Sequence, residues 1–170
     1  MVPVTSPIDA PLGLSNVLTV LCALACLWVM SPQARGAVVR LWALAVPAAF
    51  GGVVAVVLLA GVFEATPIND AEWVGALVIG AIIGRIRGWS LSVEMAPIGN
   101  MIRLRAAWDG MVVAAGIVAM AIVDFISAAS DQPVIAPVHV AAVSAFCAGY
   151  LGCRALAVLV RFRRVAGSSR

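Results

Sequence analysis

The sequence predicts an all-α membrane protein with five transmembrane helices and a short cytoplasmic β-hairpin between the third and the fourth. Its composition is the first reason, because 64% of the 170 residues are apolar, 11% are charged and the mean hydropathy is +1.10. An ordinary soluble domain is about 25% charged. Since a membrane helix needs roughly 20 mostly apolar residues, the chain has room for about five spans and for no separate soluble domain.

The order of the apolar residues is the second reason, because they form five segments separated by polar or charged turns. The first segment follows a Pro-rich leader that contains no basic residue, which is not typical of a cleaved signal peptide. We therefore expect this segment to remain in the mature protein as a helix. The predicted helices of this single membrane domain cover residues 12–30, 41–63, 68–84, 108–128 and 137–160.

The eleven basic residues, all arginine, alternate between successive loops and are the third reason. From the loop after the first helix to the C-terminal tail, the connections contain two, none, four, none and four arginines. Because basic residues favour the cytoplasmic side, this alternation predicts an N-terminus outside and a C-terminus in the cytoplasm. Arg154 lies inside the last apolar segment, and we expect its side chain to extend to the cytoplasmic interface. The arginines thus indicate membrane topology and not a nucleic-acid-binding surface.

The hairpin is predicted at residues 90–105. Apolar and polar residues alternate on both sides of a turn that contains Pro97 and Gly99. An isolated two-stranded hairpin is marginal in water, so its apolar face is expected to lie on the helix ends or on lipid headgroups. The residues of that face are Leu91, Val93, Ile102 and Leu104.

Small residues form one face of the third predicted helix. Gly75, Gly80 and Gly84 belong to it, and the four-residue spacing of the last two lets another membrane helix approach closely. Because the segment is intramembrane, these glycines are interpreted as helix packing and not as a phosphate-binding loop.

Glu72, Asp124 and His139 are the candidate ligand-binding residues, because each is predicted near the outer end of its helix. A short loop could bring Asp124 and His139 together, with Glu72 at the same level, as a proton or small-ligand site. The alternative is that they are interfacial polar groups solvated by water and headgroups. A single histidine excludes a bis-histidine haem within one chain, and we expect no metal and no cofactor.

Four arginines surround the predicted hairpin, and two compatible interpretations apply to them. They contact anionic lipid headgroups or an acidic partner, since each basic residue near an anionic leaflet gains about 1 kcal/mol. The simpler interpretation is that they only determine the topology. These residues are Arg85, Arg87, Arg103 and Arg105.

No motif for nucleophilic, metal or nucleotide chemistry is present, so no catalytic residue is assigned. The four cysteines lie in apolar segments without metal-ligand spacing and are interpreted as small buried apolar residues. Cys22 and Cys26 are four residues apart, which leaves a redox-active pair as the alternative for these two.

The stretch from Trp73 to Gly110 combines a Gly-rich helix, the motif Gly84-Arg85-x-Arg87-Gly88, an alternating hairpin and a following helix. This order resembles the CcdC-like proteins and related domain-of-unknown-function families, which are small multi-pass membrane proteins of bacteria. The resemblance implies a bacterial inner-membrane location and a loose association with cytochrome c biogenesis. The chain lacks a thiol pair of the type that disulfide-relay partners use, so only the architecture is carried over.

Three functions remain open from the sequence. The first is a non-enzymatic accessory or scaffold component, whose partners are the lipid bilayer and either other membrane subunits or further copies of the chain. The second is a small-ligand-binding or permeation protein that uses the outer polar groups and has a cavity between the fourth and fifth helices. The third is a membrane enzyme acting on lipids, for which Glu94 and Asp109 beside the arginines are the nearest candidates.

Overall fold

The computed structural model describes residues 13–60, 67–95, 101–104, 106–130 and 132–168, and these residues are mostly helical. The prediction of an all-α fold is confirmed, and the described chain contains five α-helices. The predicted five transmembrane spans are not shown, because four helical stretches of these residues are long and apolar enough to cross a membrane. A single 3₁₀ turn, Leu41–Leu44, directly precedes the second helix. The helices are α1 (Leu14–Ala34), α2 (Ala45–Ala60), α3 (Pro67–Ser90), α4 (Asp109–Ser130) and α5 (Pro137–Ser168).

Four helical stretches of the described chain are long and apolar enough to cross a membrane. They are Leu14–Ala34, Leu41–Ala60, Asp109–Ser130 and Pro137–Arg164. The 24-residue helix α3 does not belong to this set, although it is about 36 Å long at 1.5 Å per residue. Charged residues at both of its ends, Asp70 and Glu72 at one and Arg85 and Arg87 at the other, shorten its apolar stretch.

Helix α5 lies at the centre of the bundle, because α2, α3 and α4 all pack against it. Helix α1 packs on α2 and α4, on the other side of the molecule from the α3–α5 contact. Consecutive helices run in opposite directions, so the molecule has two ends. We call them the sheet end, where α1 and α3 finish, and the opposite end, where α2 and α4 finish.

The main buried core is built from one side of each of the helices α1, α2, α4 and α5. Met30 of α1, Val54 of α2, Ile117 of α4 and Leu151 of α5 lie in one cluster and are at most 3% exposed. The large apolar side chains on the outer faces remain exposed, among them Leu21, Val56, Ile86, Val112 and Leu156. An apolar surface of this kind on helices of this length is typical of a membrane protein.

The sheet at the sheet end has three strands, one more than the predicted hairpin. Strands β2 (Val93–Met95) and β3 (Met101–Leu104) pair antiparallel, and β1 (Val38–Arg40) pairs antiparallel with the other edge of β3. The strand order is therefore β1-β3-β2. Strand β1 comes from the connection between α1 and α2, where three residues are too short for a recognisable alternation. The predicted turn at 97–100 lies outside the described residues.

One face of this sheet is buried against α5. Leu91 and Ile102 are buried in a second cluster that also contains Val39 of β1 and Ala155 and Val158 of α5. Leu91 and Ile102 thus pack on the side of α5, at residues ten or more positions before its end at Ser168, whereas the expected contact was with helix ends or headgroups. The side chains of Val93 and Leu104 lie outside the described part.

Glycines bring the backbones of α3 and α5 into direct contact. A Cβ atom at Gly80 or Gly84 would overlap the carbonyl oxygen of Phe146 or Tyr150 of α5, respectively. A Cβ atom at Gly149 of α5 would likewise overlap the carbonyl oxygen of Leu77. Gly75, in contrast, has open space around the position of its missing Cβ. The small-residue face of α3 therefore runs from Gly80 toward the sheet end and does not include Gly75.

Helix α3 continues six residues past its predicted end at Gly84. The added residues end in Ser90, whose hydroxyl donates to the Arg87 carbonyl, and the helix keeps packing on α5 through Gly88. Two arginines in this extension suggested a loop, but arginine is a good helix former and stays at the surface here.

Candidate functional site

A buried ion pair joins α4 and α5 at the sheet end. The Arg154 Nε donates to Asp109 Oδ2 at 3.0 Å, and the Tyr150 hydroxyl donates to the same oxygen at 2.6 Å. Arg154 and Tyr150 are four residues apart on α5, so both side chains lie on the face that meets the first turn of α4. Arg154 is only 3% exposed, which is rare for an arginine without a charged partner.

Two further residues extend this ion pair to α1 and α3. The Arg154 Nη1 donates to Gln33 Oε1 at 3.4 Å, and Gln33 Nε2 donates to the carbonyl of Ala43 in the 3₁₀ turn at 3.3 Å. On the other side, Arg87 Nη2 of α3 lies 3.6 Å from Asp109 Oδ1. We call Gln33, Arg87, Asp109, Tyr150 and Arg154 the Asp109 cluster.

The Asp109 cluster changes from buried to exposed along its length. Gln33 and Arg154 are buried, the Asp109 side chain is 19% exposed and that of Arg87 is 48% exposed. Gly110 makes room for the buried part, because a Cβ there would collide with the Met30 side chain and approach Arg154. The buried guanidinium therefore depends on the missing side chain at Gly110.

Two polar atoms of the cluster are buried without a hydrogen-bond partner in the described chain. They are Nη2 of Arg154 and Oδ1 of Asp109. The opposite charges of the two groups compensate each other, which is what allows a guanidinium at this depth. The cluster is arranged to hold charge between helices.

The three outer candidates at the opposite end do not form one site, because two of them pair with each other and the third pairs with a residue of α1. His139 Nδ1 of α5 lies 2.7 Å from Glu72 Oε1 of α3, and both side chains are partly exposed. Asp124 of α4 accepts instead from Asn16 of α1 at 3.5 Å. The structure therefore brings Glu72 and His139 together and gives Asp124 a partner on a different helix.

The arginines predicted around the hairpin have different environments. Arg85 and Arg103 are exposed, Arg87 belongs to the Asp109 cluster, and Arg105 lies outside the described residues. Arg161 of α5 donates to the carbonyl oxygens of Gly88, Trp89 and Leu91 and thus binds the C-terminal end of α3. Arg164 lies over the Trp89 ring, 5.4 Å from its centroid.

Sequence reasoning missed most of the Asp109 cluster. Arg154 was expected at the interface, and this was wrong, because Asp109 and Gln33 compensate its guanidinium inside the bundle. Tyr150 and Gln33 were not selected at all. The available signal was the position of Arg154 itself, since an arginine seven residues before the terminal basic run is too deep for an ordinary helix end.

The cysteines are all free, with Cys26 and Cys147 buried and Cys22 and Cys153 partly exposed. Within the described ranges, no group of three or more histidine, cysteine, aspartate and glutamate side chains is placed to hold a metal ion.

Comparisons with known proteins identify no relative of this chain. The chain matches no protein-family model, no curated protein and no solved structure.

Proposed function

We propose that this chain is a non-enzymatic structural component of a larger assembly in the bacterial inner membrane. The observation that supports the proposal is that polar side chains of this chain connect its helices to one another. The Asp109 cluster connects α1, the turn before α2, α3, α4 and α5 through five side chains. Polar groups that hold helices together in an apolar surrounding are expected in a rigid scaffold.

The helix packing supports the same role. Glycine contacts place α3 against α5 at backbone distance, and such close contacts allow little movement between the two helices. The outer surface that remains is apolar and available to lipid or to neighbouring subunits. The bacterial inner-membrane location in this proposal rests on the resemblance to CcdC-like proteins, which stays a prediction.

The proposed orientation places the sheet end in the cytoplasm and the N-terminus outside. All nine arginines of the described chain lie in the sheet-end half of the molecule, and all but the buried Arg154 lie on or beside helix ends or on strands. Asp70, Glu72 and Asp124 lie toward the opposite end. This asymmetry agrees with the preference of basic residues for the cytoplasmic side. A fluorescent protein fused to the C-terminus is expected to mature and fluoresce, whereas a periplasmic C-terminus would leave a Sec-exported fusion dark.

Native mass spectrometry of the tagged full chain, extracted in mild detergent from its own membrane, tests the accessory role. We expect a particle that contains a stoichiometric second polypeptide or several copies of the chain. The Asp109→Asn variant is the comparison, because a loosened scaffold should lose this partner before it loses membrane insertion. A monomer that keeps only a small molecule would contradict the proposal.

A second candidate function, a small-ligand site at the opposite end, is favoured by the Glu72–His139 pair. The two side chains are in contact, and one is acidic and the other basic. Glu72 is 39% exposed and His139 is 60% exposed, so both are open to solvent. Ligand retention that disappears in Glu72→Gln and persists in Asp109→Asn would favour this function. A ligand that is lost in Asp109→Asn and retained in Glu72→Gln would favour the structural role. So would the absence of any retained ligand.

A further inference from the structure

An exposed patch at the sheet end of α3 combines two arginines with an indole ring. Arg85 and Trp89 are one helical turn apart on the same face of α3, about 6 Å along the axis. Arg164 reaches this face from α5 and stacks over the Trp89 ring at 5.4 Å. Both arginines are exposed, and 40% of Trp89 is exposed.

The two guanidinium groups of this patch have no carboxylate or hydrogen-bond acceptor among the described residues, unlike those of Arg87 and Arg161. Arg87, two residues from Arg85, pairs with Asp109. Arg161, three residues before Arg164, donates to the carbonyl oxygens at the end of α3. The patch thus carries two uncompensated positive charges, whereas the arginines beside it already have acceptors.

An apolar strip continues from the patch toward the middle of the helix. Ile82 and Ile86 lie on the same face as Arg85 and Trp89, with the spacing i, i+3, i+4 and i+7, and are 54% and 65% exposed. This face is turned away from Gly80, Gly84 and Gly88, which meet α5. The surface is therefore cationic and aromatic at the helix end and apolar below it.

We propose that this surface binds one anionic phospholipid, with its phosphate at Arg85 and Arg164 and an acyl chain along Ile82 and Ile86. Planar guanidinium groups match phosphate oxygens, and tryptophan is favoured at the level of lipid headgroups. A free phosphate would use the arginines alone and would not require the isoleucine strip. The inference is independent of the accessory role and rests on the chain being a membrane protein.

Native mass spectrometry of the purified full chain in detergent tests the site by titration with phosphatidylglycerol and phosphatidylcholine of identical acyl chains. We expect the wild type to retain phosphatidylglycerol in preference. The double variant Arg85→Gln/Arg164→Gln should bind it about thirtyfold more weakly, since each of the two arginines contributes about 1 kcal/mol near anionic lipid. The matched control is Arg35→Gln/Arg40→Gln, which removes two exposed charges from the same end.

The control decides whether the site or the net charge is responsible. Equal losses of phosphatidylglycerol in both double variants, or no loss in Arg85→Gln/Arg164→Gln, would overturn the proposal. A third arm adds excess glycerol 3-phosphate to the wild-type complex. If the lipid is retained, the result supports a phospholipid site. If this soluble anion displaces the lipid, the proposal is wrong. All four substitutions are at exposed positions, so folding is checked by an unchanged thermal transition before the titration.

Discussion

The guanidinium of Arg154 and the carboxylate of Asp109 form a partly buried contact of 3.0 Å between helices α4 and α5, across 45 positions of the chain. Tyr150 donates to the same carboxylate oxygen, and Gln33 accepts from the same guanidinium. Four side chains from three helices thus share one pair of charges. This contact explains how an apolar helix tolerates an arginine that is 3% exposed.

Asp109→Asn is expected to destabilise the protein by about 3 kcal/mol, because it leaves the buried Arg154 charge without compensation. The double variant Asp109→Asn/Arg154→Met should be less destabilised than Asp109→Asn alone, since it removes the stranded charge as well. Unfolding in mixed micelles, followed by circular dichroism, measures both. Asp70→Asn is the control, because Asp70 forms only an exposed contact with Trp73. A double variant that is worse than the single variant would contradict the ion-pair interpretation.

Gly84→Ala is expected to cost about 2 kcal/mol of unfolding free energy, because its methyl group would overlap the Tyr150 carbonyl of α5. Gly75→Ala on the same helix meets nothing within 4 Å and should be neutral or stabilising by up to about 1 kcal/mol, given the higher helix propensity of alanine. The same mixed-micelle unfolding experiment compares them. Similar effects at the two glycines would show that helix propensity, and not the α3–α5 contact, determines the result.

Arg161→Gln is expected to loosen the end of α3, because its guanidinium holds the carbonyl oxygens of Gly88, Trp89 and Leu91. Carbonyl groups at a helix C-terminus lack intrahelical partners, and a cation there is favourable. Hydrogen-exchange mass spectrometry should therefore find faster exchange in the peptide that covers residues 88–95. Arg163→Gln removes an exposed charge two residues away and should leave this peptide unchanged. Unchanged exchange in Arg161→Gln would refute the capping role.

Glu72→Gln is expected to lower the unfolding free energy by less than about 1 kcal/mol, because its pair with His139 is partly exposed and screened by solvent. A double-mutant cycle with His139→Gln isolates the pair from other effects of each substitution. A coupling energy comparable to that of Asp109 and Arg154 would mean that the opposite end is as rigidly held as the sheet end.

Most of the fold could be predicted from local properties of the chain. Helix existence depends on the hydropathy of about 20 consecutive residues, and the pairing of β2 with β3 depends on an alternation and a turn that are close in sequence. The sites were harder to predict. Gly80 and Gly84 could be selected from their spacing alone. Gly75 lies about 140° around the helix axis from Gly80, away from the surface that meets α5.

The amino-acid sequence alone determined that the chain is helical and apolar enough for a membrane, and about where its helices lie, because hydropathy is summed over neighbouring residues. It did not determine every helix end, since α3 continues six residues and α5 eight residues past their predicted ends. Tertiary structure decided which polar groups meet. It added β1 to the sheet, paired Asp124 with Asn16 and placed Arg154 against Asp109. These contacts depend on the rotation of each helix about its own axis, which the packing of small residues between helices decides and hydropathy does not encode.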